Sequence, residues 1–245
     1  MFNLYKANLR RLTGNIFFIG GCAIALAVTF CFSKNILSME FLGGRSAEAR
    51  MYFVSSAMIV FFTLIVPIFT NMEYSDGTIR NKIIAGHSQK NIYLSYLLAY
   101  FTQALIMWGV YMAAGFLGGA KPSVHFIMTN IIMLFAIFNY IATMMFIAFR
   151  FKKIIFAAAG SILILNICFN SILFGNLIVM LAEGRMPLLV SSLYNISALG
   201  QWFVYTGFCA DEANPGMPVQ ILISLIIVLG TTFLGTLKIN KRDLA

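Results

Sequence analysis

The sequence predicts an all-α integral membrane protein with six transmembrane helices, from its composition, the length of its apolar blocks and the placement of its charges. Of the 245 residues, 60% are hydrophobic and only 10% are charged, and the mean hydropathy is +0.88. A soluble domain of this size carries about a quarter charged residues and could not bury so much apolar surface. The lipid bilayer is therefore the expected solvent for most of the chain.

Six apolar blocks are long enough to cross the roughly 30 Å hydrocarbon layer, which takes about 20 helical residues. Charged residues, proline or glycine bound each block. The connections are mostly short and no linker separates the blocks, so residues 1–245 are expected to form a single transmembrane domain. The blocks cover residues 14–33, 51–71, 92–117, 124–149, 154–181 and 218–237.

Two segments outside the blocks are expected to lie at the membrane surfaces. Residues 1–12 predict an amphipathic helix in the cytoplasmic interface, with a frayed basic tail as the alternative. Residues 182–216 form the long outer loop, in which 187–208 is a seventh apolar candidate. Its several serine, asparagine and glutamine side chains argue against a full crossing and favour interfacial or re-entrant helices that cover the outer mouth.

Lysine and arginine counts predict the orientation. With six spans both termini share one side, which collects twelve of the 17 basic residues and three acidic ones, whereas the other side has five of each. Basic residues accumulate on the cytoplasmic side of membranes, so the N- and C-termini are expected in the cytoplasm. The net charge of +9 thus reflects topology; because it is spread over four segments, it does not indicate nucleic-acid binding.

Motifs for catalysis or ion coupling are missing from the sequence. It contains no G-x-x-x-x-G-K-[ST] phosphate loop, no H-E-x-x-H and no G-x-S-x-G. No acidic or basic residue lies deep inside a predicted span, where ion-coupled transporters place a titratable group. We therefore expect no catalytic residues, metal site or cofactor in this chain, and energy for any transport must come from another subunit.

The four cysteines show no metal-ligand spacing. Buried free thiols are the simpler interpretation, and a bridge between Cys31 and Cys209 at the outer face is left open. A G-x-x-x-G pair, Gly115 and Gly119, is a weak indication of a dimer face.

Asn166 and Asn170 are one turn apart on the fifth span and therefore share a face. One hypothesis places that face along a substrate path or a subunit seam. The alternative is ordinary hydrogen bonding between helices, which is common in membrane proteins and needs no substrate.

The cytoplasmic loop at residues 72–90 has a recognisable local pattern. Gly77 interrupts the preceding helix, Thr78 can cap a short amphipathic helix that runs to Ala85, and Gly86 is placed to end it. Ser88 can cap the next span. A two-turn helix between glycines, carrying three isoleucines, is suited to docking into a partner's groove; these are Ile79, Ile83 and Ile84.

This loop resembles the coupling segment of permease subunits of type-2 ABC exporters, especially small bacterial permeases associated with bacitracin and lantibiotic self-protection. In that family the segment is a coupling helix seated in a cleft of a separately encoded ATPase. The family often has a basic residue where Gln89 stands here, and Lys90 follows it. The matching residues are Glu73, Tyr74, Gly77, Thr78, Ile79, Arg80, Asn81, Lys82 and Gly86, followed by Tyr93 and Ser95.

The resemblance implies an ATP-driven exporter subunit in the cytoplasmic membrane of a bacterium, with a Gram-positive source expected. Its implied partners are a cytoplasmic ATPase subunit that carries ATP and Mg²⁺, membrane lipids, and a second permease, either identical or related. The implied substrate is an amphipathic antimicrobial peptide or a lipid-like compound. The alternative is a non-transporting membrane anchor or sensor subunit that recruits a cytoplasmic partner through the same loop.

Overall fold

A computed structural model describes residues 1–37, 46–151, 153–181, 186–206 and 214–237. Of these described residues 87% are helical, and none belongs to a β-strand. The described chain forms the helices α1 (Phe2–Thr13), α2 (Ile16–Ser33), α3 (Ala47–Ser75), α4 (Thr78–Ile84), α5 (Gln89–Leu117), α6 (Val124–Arg150), α7 (Ile154–Leu181), α8 (Met186–Ile196), α9 (Ala198–Tyr205) and α10 (Met217–Thr236).

Among the described helices, six are long and apolar enough to cross a membrane, which agrees with the predicted number; they are α2, α3, α5, α6, α7 and α10. The largest difference in bounds is at the second span, predicted as 51–71 and observed as Ala47–Ser75. The Ser46 side chain accepts a hydrogen bond from the Ala49 N–H and so starts the helix one turn early. At its other end α3 continues beyond the predicted span as far as Ser75.

The six long helices differ in how much of their surface is covered. Half or more of α3, α5 and α6 is buried, whereas α2, α7 and α10 expose most of their apolar side chains. Large side chains fill the centre of the bundle, and Tyr96, Tyr100, Phe62 and Phe126 are fully buried. In a bilayer the exposed apolar faces of the outer helices need no further cover, because lipid tails are as apolar as leucine.

Aromatic contacts define one end of the bundle, which we call the α4 end. The Phe149 ring at the end of α6 packs against Tyr74 of α3 and Tyr93 of α5. A Cβ atom at Gly235 would lie 2.6 Å from the Tyr93 hydroxyl, so the end of α10 is packed here too. The two terminal helices, α1 and α10, therefore both reach the end of the bundle that carries α4.

The opposite end, which we call the α9 end, is closed by contacts between connections. The Lys121 N–H donates to Glu48 Oε1 over 2.6 Å. The Trp202 indole N–H donates to Ser55 Oγ over 2.7 Å and fixes α9 on α3. These polar groups lie at the end where the sequence places the outer loops.

The segment considered above as a seventh crossing forms two short helices, α8 and α9. Neither of them is long enough to span a membrane. Buried amide side chains bind them to α10. Gln220 Nε2 donates to Asn195 Oδ1 over 2.9 Å, and Ser224 Oγ donates to Gln201 Oε1 over 2.8 Å. The polar residues that argue against a crossing thus form hydrogen bonds inside the bundle.

Gly115 packs against its own chain. A Cβ atom there would lie 2.2 Å from Met51 Sδ, and Gly119, with φ +102°, lies beyond the end of α5. The interpretation of this pair as a dimer face is therefore wrong.

Cys22, Cys31 and Cys168 are free thiols. Cys209, and with it the bridge to Cys31, lies outside the described residues.

Candidate functional site

The short helix α4 is bounded by two glycines in the left-handed conformation. Gly77, with φ +68°, follows α3 and is itself the N-cap of α4, so the expectation that Thr78 caps the helix is wrong. Thr78 is instead the first helical residue. Because glycine has no Cβ atom, it adopts the left-handed conformation without strain and lets the chain turn sharply between the two helices.

Gly86 ends the short helix as predicted. It has φ +87°, and its N–H donates to the Ile83 carbonyl over 2.9 Å, while the His87 N–H donates to the Lys82 carbonyl over 3.1 Å. This pair of bonds is the Schellman arrangement, which satisfies the last carbonyls of a helix. Ser88 then caps α5 by accepting from the Asn91 N–H, also as predicted.

Lys82 points into the bundle from α4. Its ammonium group donates to Asn8 Oδ1 over 2.7 Å, to the Tyr96 hydroxyl over 2.5 Å and to Glu73 Oε2 over 3.2 Å. An ammonium group has three donors, so these bonds satisfy it completely. Lys82 therefore joins α4 to α1, α3 and α5 at one point.

Glu73 is the centre of this cluster of charged and polar groups. Its side chain is 3% exposed, and its second oxygen is bonded by the Arg11 guanidinium of α1. Asn8 extends the cluster by donating to Ser95 Oγ of α5 over 2.9 Å. We call Asn8, Arg11, Glu73, Lys82 and Tyr96 the anchor cluster. A carboxylate this buried is stable only with such partners.

Burial also affects Lys82, one of the two cations of the anchor cluster. It lowers the pKa of the Lys82 ammonium, and the facing Glu73 carboxylate opposes that shift. Arg11 and Lys82 both face the one Glu73 carboxylate, and these ion pairs offset part of the cost of burying the charges.

The other face of α4 is free. Arg80 and Asn81 are exposed, and Ile84 is 74% exposed. Ile79, in contrast, is 2% exposed and packs into the core, and Ile83 packs partly against it. The expectation of three isoleucines for a partner's groove is therefore wrong for Ile79, and the open surface consists of Arg80, Asn81 and Ile84. We call these three residues the outward face of α4.

Asn166 and Asn170 lie on one face of α7, as their spacing predicts. Asn170 Nδ2 donates to Asn166 Oδ1 over 2.8 Å and to the Asn166 carbonyl over 2.9 Å. Asn166 also lines a groove of about 570 Å³ between α3, α7 and α9, with Ser56, Phe169 and Trp202 among its walls. The site thus combines an apolar surface with one amide group.

Three members of the anchor cluster, Asn8, Arg11 and Tyr96, are not among the site residues expected from sequence. One signal could have identified Asn8: it is polar, yet stands on the apolar face of α1 one turn from both Leu4 and Leu12, which are buried beside it. A lone amide on such a face indicates a buried hydrogen-bond partner.

Among the described residues, no three histidine, cysteine or acidic side chains are grouped so that they could hold a metal ion. Taken together, the fold defines a multi-pass helical membrane protein with a short helix fixed by polar contacts at one end. No family model matches the chain, and no curated protein is similar to it.

Proposed function

We propose that this chain is the membrane permease subunit of an ATP-driven ABC exporter, embedded in the bacterial cytoplasmic membrane and driven by a separate ATPase subunit. The observation that carries the proposal is the outward face of α4, Arg80, Asn81 and Ile84, exposed on a helix whose opposite face is locked into the bundle. A cation, an amide and an apolar side chain on one short helix suit docking into a groove of a cytoplasmic partner.

The anchor cluster supplies a route for force. Lys82 connects α4 directly to Glu73 on α3 and Tyr96 on α5. A displacement imposed on the outward face would therefore be passed to the second and third spans rather than absorbed by a loose loop. In the proposed cycle, ATP closes the ATPase dimer, α4 moves with it, and α3 shifts relative to α7.

The groove between α3, α7 and α9 supports an amphipathic or lipid-like substrate such as an antimicrobial peptide. Its walls are mainly apolar, and Asn166 adds a hydrogen-bonding group inside an apolar surface. A shift of α3 against α7 would change the width of this groove. We propose Asn166 and Asn170 as residues of the substrate path, with a second permease, identical or related, completing the transporter.

The alternative, a membrane anchor or sensor, shares the docking face but needs no turnover. A decisive experiment isolates the chain with the ATPase subunit that co-purifies with it and measures ATP hydrolysis in lipid nanodiscs, with bacitracin and a lantibiotic as probes. The exporter predicts that a probe stimulates hydrolysis. A stable complex whose hydrolysis responds to neither probe favours the anchor.

Arg80→Glu tests the docking face in the same assay. A groove that receives the Arg80 guanidinium would be negatively charged, so a Glu at this position meets like charge at a cost of several kcal/mol, and we expect at least about a tenfold loss of stimulation. Arg150→Glu, an exposed charge reversal at the end of α6, is the matched control and should retain stimulation. Full stimulation in Arg80→Glu would refute the coupling role of α4.

A further inference from the structure

A second groove lies on a neighbouring face of α3, away from the groove that Asn166 lines. It encloses about 670 Å³ between α2, α3 and α5, and its walls are almost entirely apolar. Gly20 and Ala25 of α2 form one wall, Phe61 of α3 the other, and Met107 of α5 the floor. The outward face of α4 and the anchor cluster contribute no residue to this groove.

The groove begins at the α4 end of the bundle and reaches at least as far as the membrane centre. Its α2 residues run from Ile16 to Val28, a rise of roughly 18 Å in an α-helix, and one leaflet of hydrocarbon is about 15 Å thick. The groove starts at the α4 end, because the Phe17 ring at the start of α2 lies 6.0 Å from the Phe69 ring near the end of α3. A chain that entered there would run towards the membrane centre.

The space beside Gly20 is empty within this groove. A Cβ atom at Gly20 would meet nothing within 4 Å, whereas one at the adjacent Gly21 would lie 2.5 Å from the Phe61 ring. Gly21 thus lets α2 approach α3 closely, and Gly20 leaves a hollow next to the contact. The two glycines together leave a hollow in α2 beside its close contact with Phe61.

Positive charge lies in the last turn of α1, which directly precedes α2 in the chain. Only Gly14 and Asn15 separate α1 from α2, and the Gly14 N–H donates to the Arg10 carbonyl over 3.1 Å, which holds the last turn of α1 beside the start of α2. Arg10 is exposed at this turn, whereas the Arg11 guanidinium is paired with Glu73. Basic residues at a membrane surface attract anionic headgroups by about 1 kcal/mol each.

We propose that this groove binds one acyl chain of an anionic phospholipid from the leaflet at the α4 end, with the headgroup beside Arg10. The apolar walls select a hydrocarbon chain, the groove begins at the α4 end where the headgroup would lie, and the arginine selects the charge of the headgroup. This lipid site stands independently of the exporter function, because it shares no residue with the outward face of α4.

The test measures phospholipid retained by the whole chain, purified from nanodiscs of phosphatidylglycerol and phosphatidylcholine, by native mass spectrometry. Gly20→Leu fills the hollow and should lower phosphatidylglycerol retention about tenfold. Arg10→Gln should lower it about fivefold, the effect of one surface cation. Gly230→Leu on α10, where a Cβ atom also meets nothing within 4 Å, is the matched control and should retain the lipid.

Each result decides the proposal once the variants show unchanged helix content and melting temperature. Selective loss of phosphatidylglycerol in both Gly20→Leu and Arg10→Gln supports it. Equal retention of the two lipids by the unaltered chain, or loss in Arg10→Gln with none in Gly20→Leu, overturns it, since the latter shows surface adsorption only. A dimer that Gly20→Leu dissociates also overturns it, because a second copy of the chain would then occupy the groove.

Discussion

Lys82 is the residue whose contacts most clearly separate anchoring from docking on α4. It satisfies three acceptors on three other helices, including the buried Glu73. Lys82→Met would remove these bonds and leave Glu73 with Arg11 alone, which we expect to destabilise the fold by about 2 kcal/mol. Thermal unfolding in detergent measures this loss.

Arg80→Met provides the matched control for that measurement, because it removes a cation of the same helix from an exposed position. It should change the free energy of unfolding by less than about 0.5 kcal/mol. Equal destabilisation by the two substitutions would contradict the inward role of Lys82.

The lowered pKa of Lys82 predicts a rise of stability in alkaline solution. Between its pKa in the folded chain and the ordinary value of 10.5, the unfolded chain binds the proton and the folded chain does not, so the free energy of unfolding increases with pH. The free energy of unfolding, measured across this pH range, should rise more steeply with pH for the unaltered chain than for Lys82→Met. Parallel curves would show that Lys82 is not desolvated in the folded protein.

At the scale of single residues, the sequence predicts which residues form the helix better than it predicts which way their side chains point. The amphipathic pattern of the loop correctly identifies a helix, but Lys82 and Ile79 pack inward because α1 folds back on α5 and supplies Asn8 and Arg11. That contact joins residues about seventy positions apart in the chain. Local spacing alone contains no information on such a partner.

The element that depends most on its boundaries is α4, which has only seven residues. Gly86→Ala would place a Cβ atom at φ +87° and should cost about 1 kcal/mol at the helix end. Hydrogen exchange of the amides from Ile83 to His87 should then accelerate about fivefold.

Gly109→Ala is the control for that exchange experiment, because Gly109 lies within α5, where an added Cβ atom meets nothing. It should leave exchange in α4 unchanged. If Gly86→Ala also leaves exchange there unchanged, the left-handed cap does not hold the helix.

Among the elements, long apolar helices were the most predictable and the short connecting helices the least. Composition and length alone predict six spans, because an apolar segment of about 20 residues satisfies all its backbone hydrogen bonds in lipid by forming a helix. The bonds that hold α8 and α9 could not be foreseen. Gln201 of α9 meets Gln220 and Ser224 of α10 only in the fold. The polarity of Gln201 already argued against a seventh crossing, but it did not identify these partners.

For the whole molecule, the asymmetry of basic residues predicts that the α4 end faces the cytoplasm. Single cysteines introduced by Arg80→Cys and Lys121→Cys, in a chain whose own cysteines are replaced by serine, should label differently in intact cells. A membrane-impermeant maleimide is expected to modify position 121 and to leave position 80 unmodified until the cells are opened. The reverse pattern would invert the topology and remove α4 from any cytoplasmic ATPase.

The central claim is that the membrane domain receives force from an ATP-hydrolysing partner through the outward face of α4. Photo-crosslinking in living cells tests it most directly, with p-benzoylphenylalanine at position 84 on the exposed face and, as control, at the buried position 79. We predict a covalent adduct from position 84, and not from position 79, to a protein that mass spectrometry identifies by its G-x-x-x-x-G-K-[ST] nucleotide-binding loop. No adduct from position 84, or one only to proteins without that loop, would contradict the account.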